Sequence, residues 1–284
     1  MIMKADSQSP LASTAHWTAA VRTIENDRAD RLFADPWAAA LAGEQGAAWL
    51  AQRPADSVIP IVLRTRFFDD FLKRLASKEA IQQIVLLAAG LDTRAFRLTW
   101  PVGTQIFELD QPAVLHYKEQ VLRSLDALPA CGRKTIDVDL TSAWQAALVQ
   151  AGFDLGRPSG WLLEGFLFYL PTEQVANILD EVSSLATPGS WLGFDIINSH
   201  VLTSPWTRPW VEMQASYGAP WIGSLDDPQA FLLERGWEVV LSQAGQPEAN
   251  FGRWKLPVIP VAQPDFPHNW YVVAHKPWSA LPDR

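Results

Sequence analysis

Several side chains suited to holding a nucleoside occur where apolar segments of the chain end. Gly90 closes the segment QQIVLLAAG, Asp110 closes TQIFELD, Asp139 lies in KTIDVDL and Glu164 follows GWLL. A glycine lets the backbone approach a ligand without a β-carbon in the way. A carboxylate about 20 residues after such a glycine suits the hydroxyls of a ribose. We therefore expect a nucleoside to bind where these segments end, although an acid at such a position also commonly caps the next helix.

Motifs for other cofactor chemistries are missing from the sequence. Gly90 is the only glycine between Leu86 and Phe96, where dinucleotide-binding enzymes carry three, and no G-x-x-x-x-G-K-[ST] motif for phosphates occurs. The five histidines lack ligand spacing and Cys131 is the only cysteine, so we predict no metal site. A nucleoside without phosphates fits what remains, and S-adenosylmethionine is the commonest such cofactor on folds of this kind.

The elements that position these residues follow from hydrophobic patterning. Five short apolar segments alternate with helical stretches between residues 82 and 198, and two more, WEVVLSQ and NWYVVAH, follow near the end. This alternation predicts an α/β fold with a doubly wound, mostly parallel seven-stranded sheet. In such sheets the ligand binds beyond the carboxyl ends of the strands.

Two flanking regions are expected to cover the open end of this sheet. Residues 1–80 read as a helical N-terminal cap, in which Asp35-Pro36 begins a helix that we expect to end near Gly43. Residues 81–284 form the ligand-binding domain. Within it, residues 198–225 are an insertion rich in tryptophan and proline, which we expect to act as a lid.

Charge and composition narrow the possible partners. The chain carries 31 acidic against 23 basic residues, a formal charge of −8, with no basic block. Phosphate neutralisation supplies much of the affinity for nucleic acid, so neither nucleic acid nor an anionic membrane is an expected partner. With one cysteine and no apolar run of membrane-spanning length, we expect a cytoplasmic protein. The fourteen tryptophans can fill a core, which is the more common role of any one of them, and they can also line a pocket for an apolar or aromatic ligand.

Several longer stretches resemble a known family. LRTRFFDDF, VLLAAGLDTRAFRL, FELDQPAVLHYK, DVDL and LLEGFLFYLPTEQV resemble, in order and spacing, the leucine carboxyl methyltransferase family. The resemblance is stronger to its bacterial small-molecule branch, the S-adenosylmethionine-dependent methyltransferases that include polyketide carboxyl O-methyltransferases. It covers roughly residues 14–200 and implies a class I methyltransferase, Rossmann-like fold.

The resemblance also implies roles for individual residues. Arg64 matches the arginine that holds the methionine carboxylate of the cofactor, and Gly90 underlies the methionine moiety. Asp110 holds the ribose. Glu164 lies near the ammonium group. A further pair flanks the adenine: Asp139 and Leu140.

Other side chains are candidates for the acceptor half of the site. Tyr169 follows Glu164 by five residues and can reach the transfer centre, or else it packs in the core. Arg66 takes the place of Arg64 if the helix register is shifted, or else it is a solvated charge on the helix. The remaining candidates are arginines for an acidic substrate, each of which is more commonly a surface charge, and histidines for a general base: Arg22, Arg28, Arg208, His16 and His200.

Three functions remain open at this point. The favoured one is a S-adenosylmethionine-dependent O-methyltransferase acting on a carboxylate or hydroxyl of a small organic or polyketide-type metabolite. The second is a protein carboxyl methyltransferase that modifies the C-terminus of a partner. The third is a nucleoside-binding protein without catalysis. A carboxylate is ionised at pH 7 and needs no base, whereas a phenol acceptor requires one.

Overall fold

The seven predicted segments each form a strand in the computed structural model, which describes residues 10–278. The strands are β1 (Gln83–Leu87), β2 (Gln105–Asp110), β3 (Gly132–Asp137), β4 (Ser159–Leu163), β5 (Trp191–Ile197), β6 (Glu238–Gln243) and β7 (Asn269–His275). They form one sheet in the order β3-β2-β1-β4-β5-β7-β6, with β7 antiparallel to both of its neighbours. β1 and β4 are parallel neighbours, and the order in which strands are added to the sheet reverses between them, which is where ligands bind in doubly wound folds.

Helices separate the strands and cover both faces of the sheet. They are α1 (Pro10–Asn26), α2 (Ala38–Ala51), α3 (Val58–Ser77), α4 (Arg94–Arg97), α5 (Pro112–Ser124), α6 (Gln145–Gln150), α7 (Thr172–Leu185), α8 (Ser199–Thr203), α9 (Arg208–Ser216), α10 (Pro228–Leu233) and α11 (Pro247–Asn250). Short 3₁₀ turns occur at Ala55–Ser57 and Leu167–Tyr169. No helix within residues 10–278 is both long and apolar enough to cross a bilayer.

The register of the central strands aligns their carboxyl ends. Leu87 at the end of β1 pairs with Leu109 of β2, and Asp110 pairs with Asp137 at the end of β3. Because parallel strands end at the same edge, the loops that follow them meet there. The acids predicted from the sequence therefore lie along one edge of the sheet.

Helix α3 packs against the sheet and supplies much of one apolar layer. Phe68, Phe71 and Leu75 belong to the same buried cluster as Ile84 and Leu86 of β1. Their spacing along the helix places them on one face. The domain boundary that the sequence suggests at residue 80 stays a prediction. Helix α3, which precedes this boundary, packs directly on the sheet.

The helix that begins after Asp35-Pro36 is interrupted at Gly43, where the sequence predicts its end. Gly43 has non-helical angles, φ 58° and ψ −169°, and a second helical segment follows across this kink to Ala51, so that α2 consists of two segments. In the second segment, Gly46 packs directly on α1. A β-carbon on Gly46 would lie 2.4 Å from the carbonyl oxygen of His16. This close approach between two helices fixes the second half of α2.

Candidate functional site

A cavity of about 210 Å³ opens at the carboxyl edge of the sheet. The ends of β1, β2 and β4 and the segment after β3 form its floor, and α1, α3 and the lid segment form its walls. The residues that the sequence predicted for the cofactor and for catalysis all line it: Arg64, Gly90, Asp110, Asp139, Leu140, Glu164 and Tyr169. Tertiary structure thus brings together side chains separated by as many as 105 positions.

Asp110 is held in place by the backbone around it. Its Oδ2 accepts a hydrogen bond of 2.6 Å from the Gly90 amide, and its Oδ1 accepts one of 2.7 Å from the Gln111 amide. Gly90 has φ +50°, a left-handed conformation that suits glycine and turns its amide toward the carboxylate. Burial raises the pKa of Asp110 above its ordinary value. Each carboxylate oxygen retains a lone pair that can accept from a ligand hydroxyl.

Asp139 and Leu140 border the cavity after β3. Asp139 is exposed, and its Oδ1 accepts hydrogen bonds from the Thr141 amide at 2.9 Å and the Thr141 hydroxyl at 2.7 Å. These bonds lower the pKa of Asp139. The residue therefore caps the turn that follows it, while its second oxygen has no hydrogen bond within residues 10–278. Leu140 beside it is buried and presents an apolar surface.

Arg64 reaches the cavity from α3 between two carboxylates. Its Nε donates to Glu164 at 3.0 Å and its Nη1 to Asp195 at 2.8 Å. Burial alone would lower the pKa of Arg64, but Asp195 and Glu164 outweigh it and raise that pKa above its ordinary value. The Nη2 atom has no hydrogen-bond partner in the described part of the chain. It lies beside Gly165, where a β-carbon would come within 2.7 Å.

The sequence reasoning missed Asp195, which anchors this arrangement. Asp195 lies in β5 and is fully buried; one oxygen binds Arg64 and the other accepts from the Gly165 amide at 2.6 Å. Burial raises the pKa of Asp195 above its ordinary value, while Arg64 lowers it. A signal was present, because an aspartate inside the apolar run WLGFDII is costly to bury unless it has a partner.

Glu164 links Arg64 to a second buried arginine. Its Oε2 lies 2.7 Å from Nη2 of Arg94, whose Nε lies 2.7 Å from Asp69 of α3. Arg94 also binds Asp92, which lines the cavity. The resulting network fixes Glu164 from two sides. The Glu164 carboxylate is therefore held at the cavity wall in one orientation.

Arg66, the alternative to Arg64, lies elsewhere. Its Nε binds Asp70 at 2.7 Å and its Nη1 donates to the carbonyl of Leu32 at 2.8 Å. Arg66 is not part of the cavity wall. The helix register that places Arg64 in the cavity is the one that the structure shows.

The lid segment and the 3₁₀ turn after β4 line the outer side of the cavity. Trp210 and Gln214 of α9 and Trp221 belong to this lining together with Tyr169. Two amides of the lid, those of Ile222 and Gly223, donate to the carbonyl of Phe168 at 2.8 and 3.1 Å. Burial raises the pKa of Tyr169, so its phenol is protonated at neutral pH and can donate a hydrogen bond.

The remaining acceptor candidates divide between the cavity and other places. Arg22 lines the cavity, but its Nε already binds Asp35 at 2.8 Å. The others are outside the lining of the cavity: Arg28, Arg208, His16 and His200. Arg28 and Arg208 are exposed, and the His16 ring is buried against the Ala42 carbonyl at 3.1 Å. Two cavity residues that the sequence did not indicate are Asn269 and Tyr271 of β7.

Comparison with known proteins assigns this chain to a family. The family model for leucine carboxyl methyltransferase matches residues 15–183, which include the strand ends just described. The chain belongs to this family. The match covers α1 through most of α7, so it includes each of the seven cavity residues that the sequence predicted.

Two relatives come from bacteria. A Mycolicibacterium gilvum protein named "Putative S-adenosyl-L-methionine-dependent methyltransferase" is 38% identical over 229 residues, which cover 75% of this chain and 76% of that protein. A Mycobacteroides abscessus protein of the same name is 37% identical over 279 residues, covering 90% and 88%.

A solved structure shares the fold. A Thermobifida fusca protein described as "a putative methyltransferase" aligns with a TM-score of 0.59 and 17% identity, covering 90% of this chain and 97% of that one. The seven-stranded sheet with its antiparallel β7 is the class I methyltransferase, Rossmann-like fold that the sequence predicted.

Proposed function

We propose that this chain is a S-adenosylmethionine-dependent O-methyltransferase that methylates a carboxylate of a small organic acid. The observation that carries the proposal is the set of side chains that line the cavity in this family member. The Gly90–Asp110 pair lies there together with Arg64 and Glu164, two oppositely charged side chains that are held in place by their hydrogen bonds. Family membership and the names of the two bacterial relatives support the methyl donor.

The residues present fit this cofactor in chemical type. Asp110 offers lone pairs for two ribose hydroxyls, and the free Nη2 of Arg64 offers a donor for the methionine carboxylate. Glu164 offers a carboxylate to the ammonium group. The second oxygen of Asp139 and the apolar side of Leu140 suit the amine and the ring of adenine.

The chemistry requires alignment more than acid–base catalysis. The cofactor supplies a methyl group on a sulfonium, so that a carboxylate oxygen forms the new C–O bond as the C–S bond breaks, giving a methyl ester and S-adenosylhomocysteine. Correct orientation in a closed site contributes up to about 7–11 kcal/mol to such a reaction. The lid and Tyr169 exclude water, and the protonated phenol of Tyr169 orients the acceptor by donating to it.

A small acceptor fits this cavity better than the C-terminus of a protein. Trp210 and Trp221 of the lid and Trp17 of α1 line its outer side. An aromatic enclosure favours an apolar or aromatic acid, whereas a protein substrate needs an open approach.

The test is transfer of a labelled methyl group from S-adenosylmethionine to a panel of aromatic and aliphatic acids. We expect a product that loses its label as methanol on saponification. A base-stable methyl ether would contradict the carboxylate acceptor and leave the methyltransferase assignment standing. Absence of transfer together with absence of cofactor binding would contradict the whole proposal.

The pH dependence of the rate gives a second test. With a carboxylate acceptor, we expect the rate to stay nearly constant between about pH 6 and 9, because the nucleophile is ionised throughout. The Tyr169→Phe variant should be slower with the same flat profile, since the phenol acts as a donor. A wild-type rate that rises with pH, with the rise absent in Tyr169→Phe, would show instead that Tyr169 is a general base.

A further inference from the structure

Among the side chains that the structure describes, Arg53 is a buried cation without a carboxylate partner. Four arginines among the described residues are at most 8% exposed: Arg22, Arg53, Arg64 and Arg94. Three of them hold a carboxylate within 3.0 Å. Arg53 forms no ion pair in residues 10–278, although it is only 7% exposed. An unpaired buried charge is costly, so its retention needs an explanation.

The surroundings of Arg53 are aromatic and belong to the cap and the lid. Its guanidinium lies 3.7 Å from the ring centre of Trp17 in α1 and 4.3 Å from that of Tyr217 after α9. Its hydrogen bonds to a side chain are two long ones, of 3.4 and 3.5 Å, to Oε1 of Gln214. Burial lowers the pKa of Arg53, whereas the pKa of the paired Arg64 is raised.

Arg53 lies directly behind the outer wall of the cavity. Trp17 and Gln214, which contact it, both line the cavity. Three buried N–H groups at this wall donate no hydrogen bond within the described residues. Nε of Arg53 and Nε1 of Trp17 and of Trp210 are buried without a partner in the part of the chain that the structure describes. A positive region that offers donors is complementary to an anion whose oxygens only accept.

We propose that Arg53 binds a second anionic group of the acceptor, a carboxylate other than the one that is methylated. This rests on the proposed function. The second carboxylate replaces Gln214 on the guanidinium, since an arginine–carboxylate pair is shorter and stronger than the long amide contacts seen now. The carboxylate on Arg53 differs from the one that is methylated, because the methylated carboxylate must lie beside the methyl donor. Arg53 contacts the cap and the lid, whereas the residues predicted to hold the donor lie after the strands and in α3. The acceptor class is therefore a dicarboxylic acid with an apolar skeleton.

The experiment compares two probes with one skeleton, naphthalene-2-carboxylate and naphthalene-2,6-dicarboxylate. Their binding to the protein saturated with S-adenosylhomocysteine is measured by calorimetry at pH 8, where every carboxylate is ionised. We expect the wild type to bind the dicarboxylate about tenfold more tightly, and Arg53→Met to bind both probes equally. Arg208→Met, which alters an exposed arginine on the lid helix α9, should keep the preference.

Other outcomes separate this subsite from a structural role. If Arg53 only joins the cap to the lid, Arg53→Met weakens both probes by the same factor, which overturns the proposal. Equal affinities in the wild type, or no binding of either probe, also overturn it. If Arg53→Met does not fold, Arg53→Lys keeps the charge without the planar fork and should retain a reduced preference. Ester formation from either probe is scored separately, so the proposed function stands or fails on its own.

Discussion

At the scale of the residue, the site depends on how the backbone fixes two charged side chains. Asp110 is oriented by the amides of Gly90 and Gln111, and Arg64 by the carboxylates of Glu164 and Asp195. Both side chains therefore already have a fixed rotamer before a ligand binds. Fixed groups of this kind bind with a smaller loss of conformational entropy than mobile ones.

Replacement of Asp110 should weaken cofactor binding. Asp110→Ala removes a carboxylate that accepts hydrogen bonds, and the loss of a charged partner costs about 1.5–3 kcal/mol, or roughly tenfold or more in affinity. Calorimetry with S-adenosylmethionine measures it. The control is Asp137→Ala, which pairs in register with Asp110 but is exposed and outside the cavity lining. Equal affinities for the wild type and Asp110→Ala would contradict the role of Asp110.

A methyl group at Gly165 should displace Arg64. In Gly165→Ala the β-carbon would lie 2.7 Å from Nη2 of Arg64, at a residue with φ +69°. Gly236→Ala has a similar backbone, φ +79°, with nothing within 4 Å. Both variants should lose about 1–2 kcal/mol of unfolding free energy from left-handed strain. Only Gly165→Ala should also bind S-adenosylmethionine more weakly; a loss of affinity in Gly236→Ala would show that the strain, and not Arg64, is responsible.

At the scale of the element, the lid is attached to the 3₁₀ turn at Leu167–Tyr169. Gly223 lies against this turn so closely that a β-carbon would be 2.1 Å from the carbonyl oxygen of Leu170. The rings of Trp221 and Phe168 are in contact, with centres 4.8 Å apart. The turn that follows β4 therefore positions both Tyr169 and the lid tryptophans.

Disruption of this contact should affect the acceptor more than the cofactor. Gly223→Ala forces the lid away from Leu170, so we expect kcat/KM for the acceptor to fall about tenfold or more, because a small displacement of positioning elements is costly. Affinity for S-adenosylmethionine should change less than twofold, as measured by calorimetry. Gly156→Ala, at an exposed loop glycine, serves as the control. A matching loss of cofactor affinity would show that the lid also holds the cofactor.

At the scale of the whole molecule, buried charges connect elements that are distant in sequence. Asp69 of α3 binds both Arg94 and Arg97, Arg94 binds Asp92 and Glu164, and Glu164 binds Arg64. The network joins α3 to the loops after β1 and β4. Removal of one member of a buried pair leaves the other as an uncompensated buried charge. The network therefore couples the stability of the site to that of the fold.

The network predicts a pH dependence of stability. Burial raises the pKa of Asp92, but Arg94, Lys118 and Arg97 together outweigh burial and lower that pKa to about 2, below the ordinary 3.8. The stabilisation is therefore present above about pH 4 and lost as the pH falls toward 2. Between pH 5 and 3, the wild type should lose about 1 kcal/mol through this group, and Asp92→Asn should lack that component. Urea unfolding at the two pH values measures it, with Asp137→Asn as the control; identical pH dependence in the wild type and Asp92→Asn would contradict it.

Local patterns in the sequence determined the fold class and much of the cofactor side of the cavity. Strands and their ends can be located from short apolar runs, because burial in a parallel sheet requires them. Since all the parallel strands end at one edge, Gly90, Asp110, Asp139 and Glu164 were placed together without knowledge of side-chain contacts. The family resemblance added Arg64 and Leu140, the position of Tyr169 five residues after Glu164 added Tyr169, and the structure places these residues in the same cavity. Their roles toward the cofactor and the acceptor stay predictions.

Only the tertiary structure decided the interactions between distant segments. Asp195 binds Arg64 across 131 positions, and Arg53 meets Gln214 across 161. Neither pairing leaves a periodic signal in the sequence, because each depends on how helices and loops pack over the sheet. Packing also determined the helical segment that follows the kink at Gly43, because Gly46 in that segment lies against the His16 carbonyl of α1. Strand patterns depend on burial of neighbouring residues, whereas the partners of a buried charge depend on the fold as a whole.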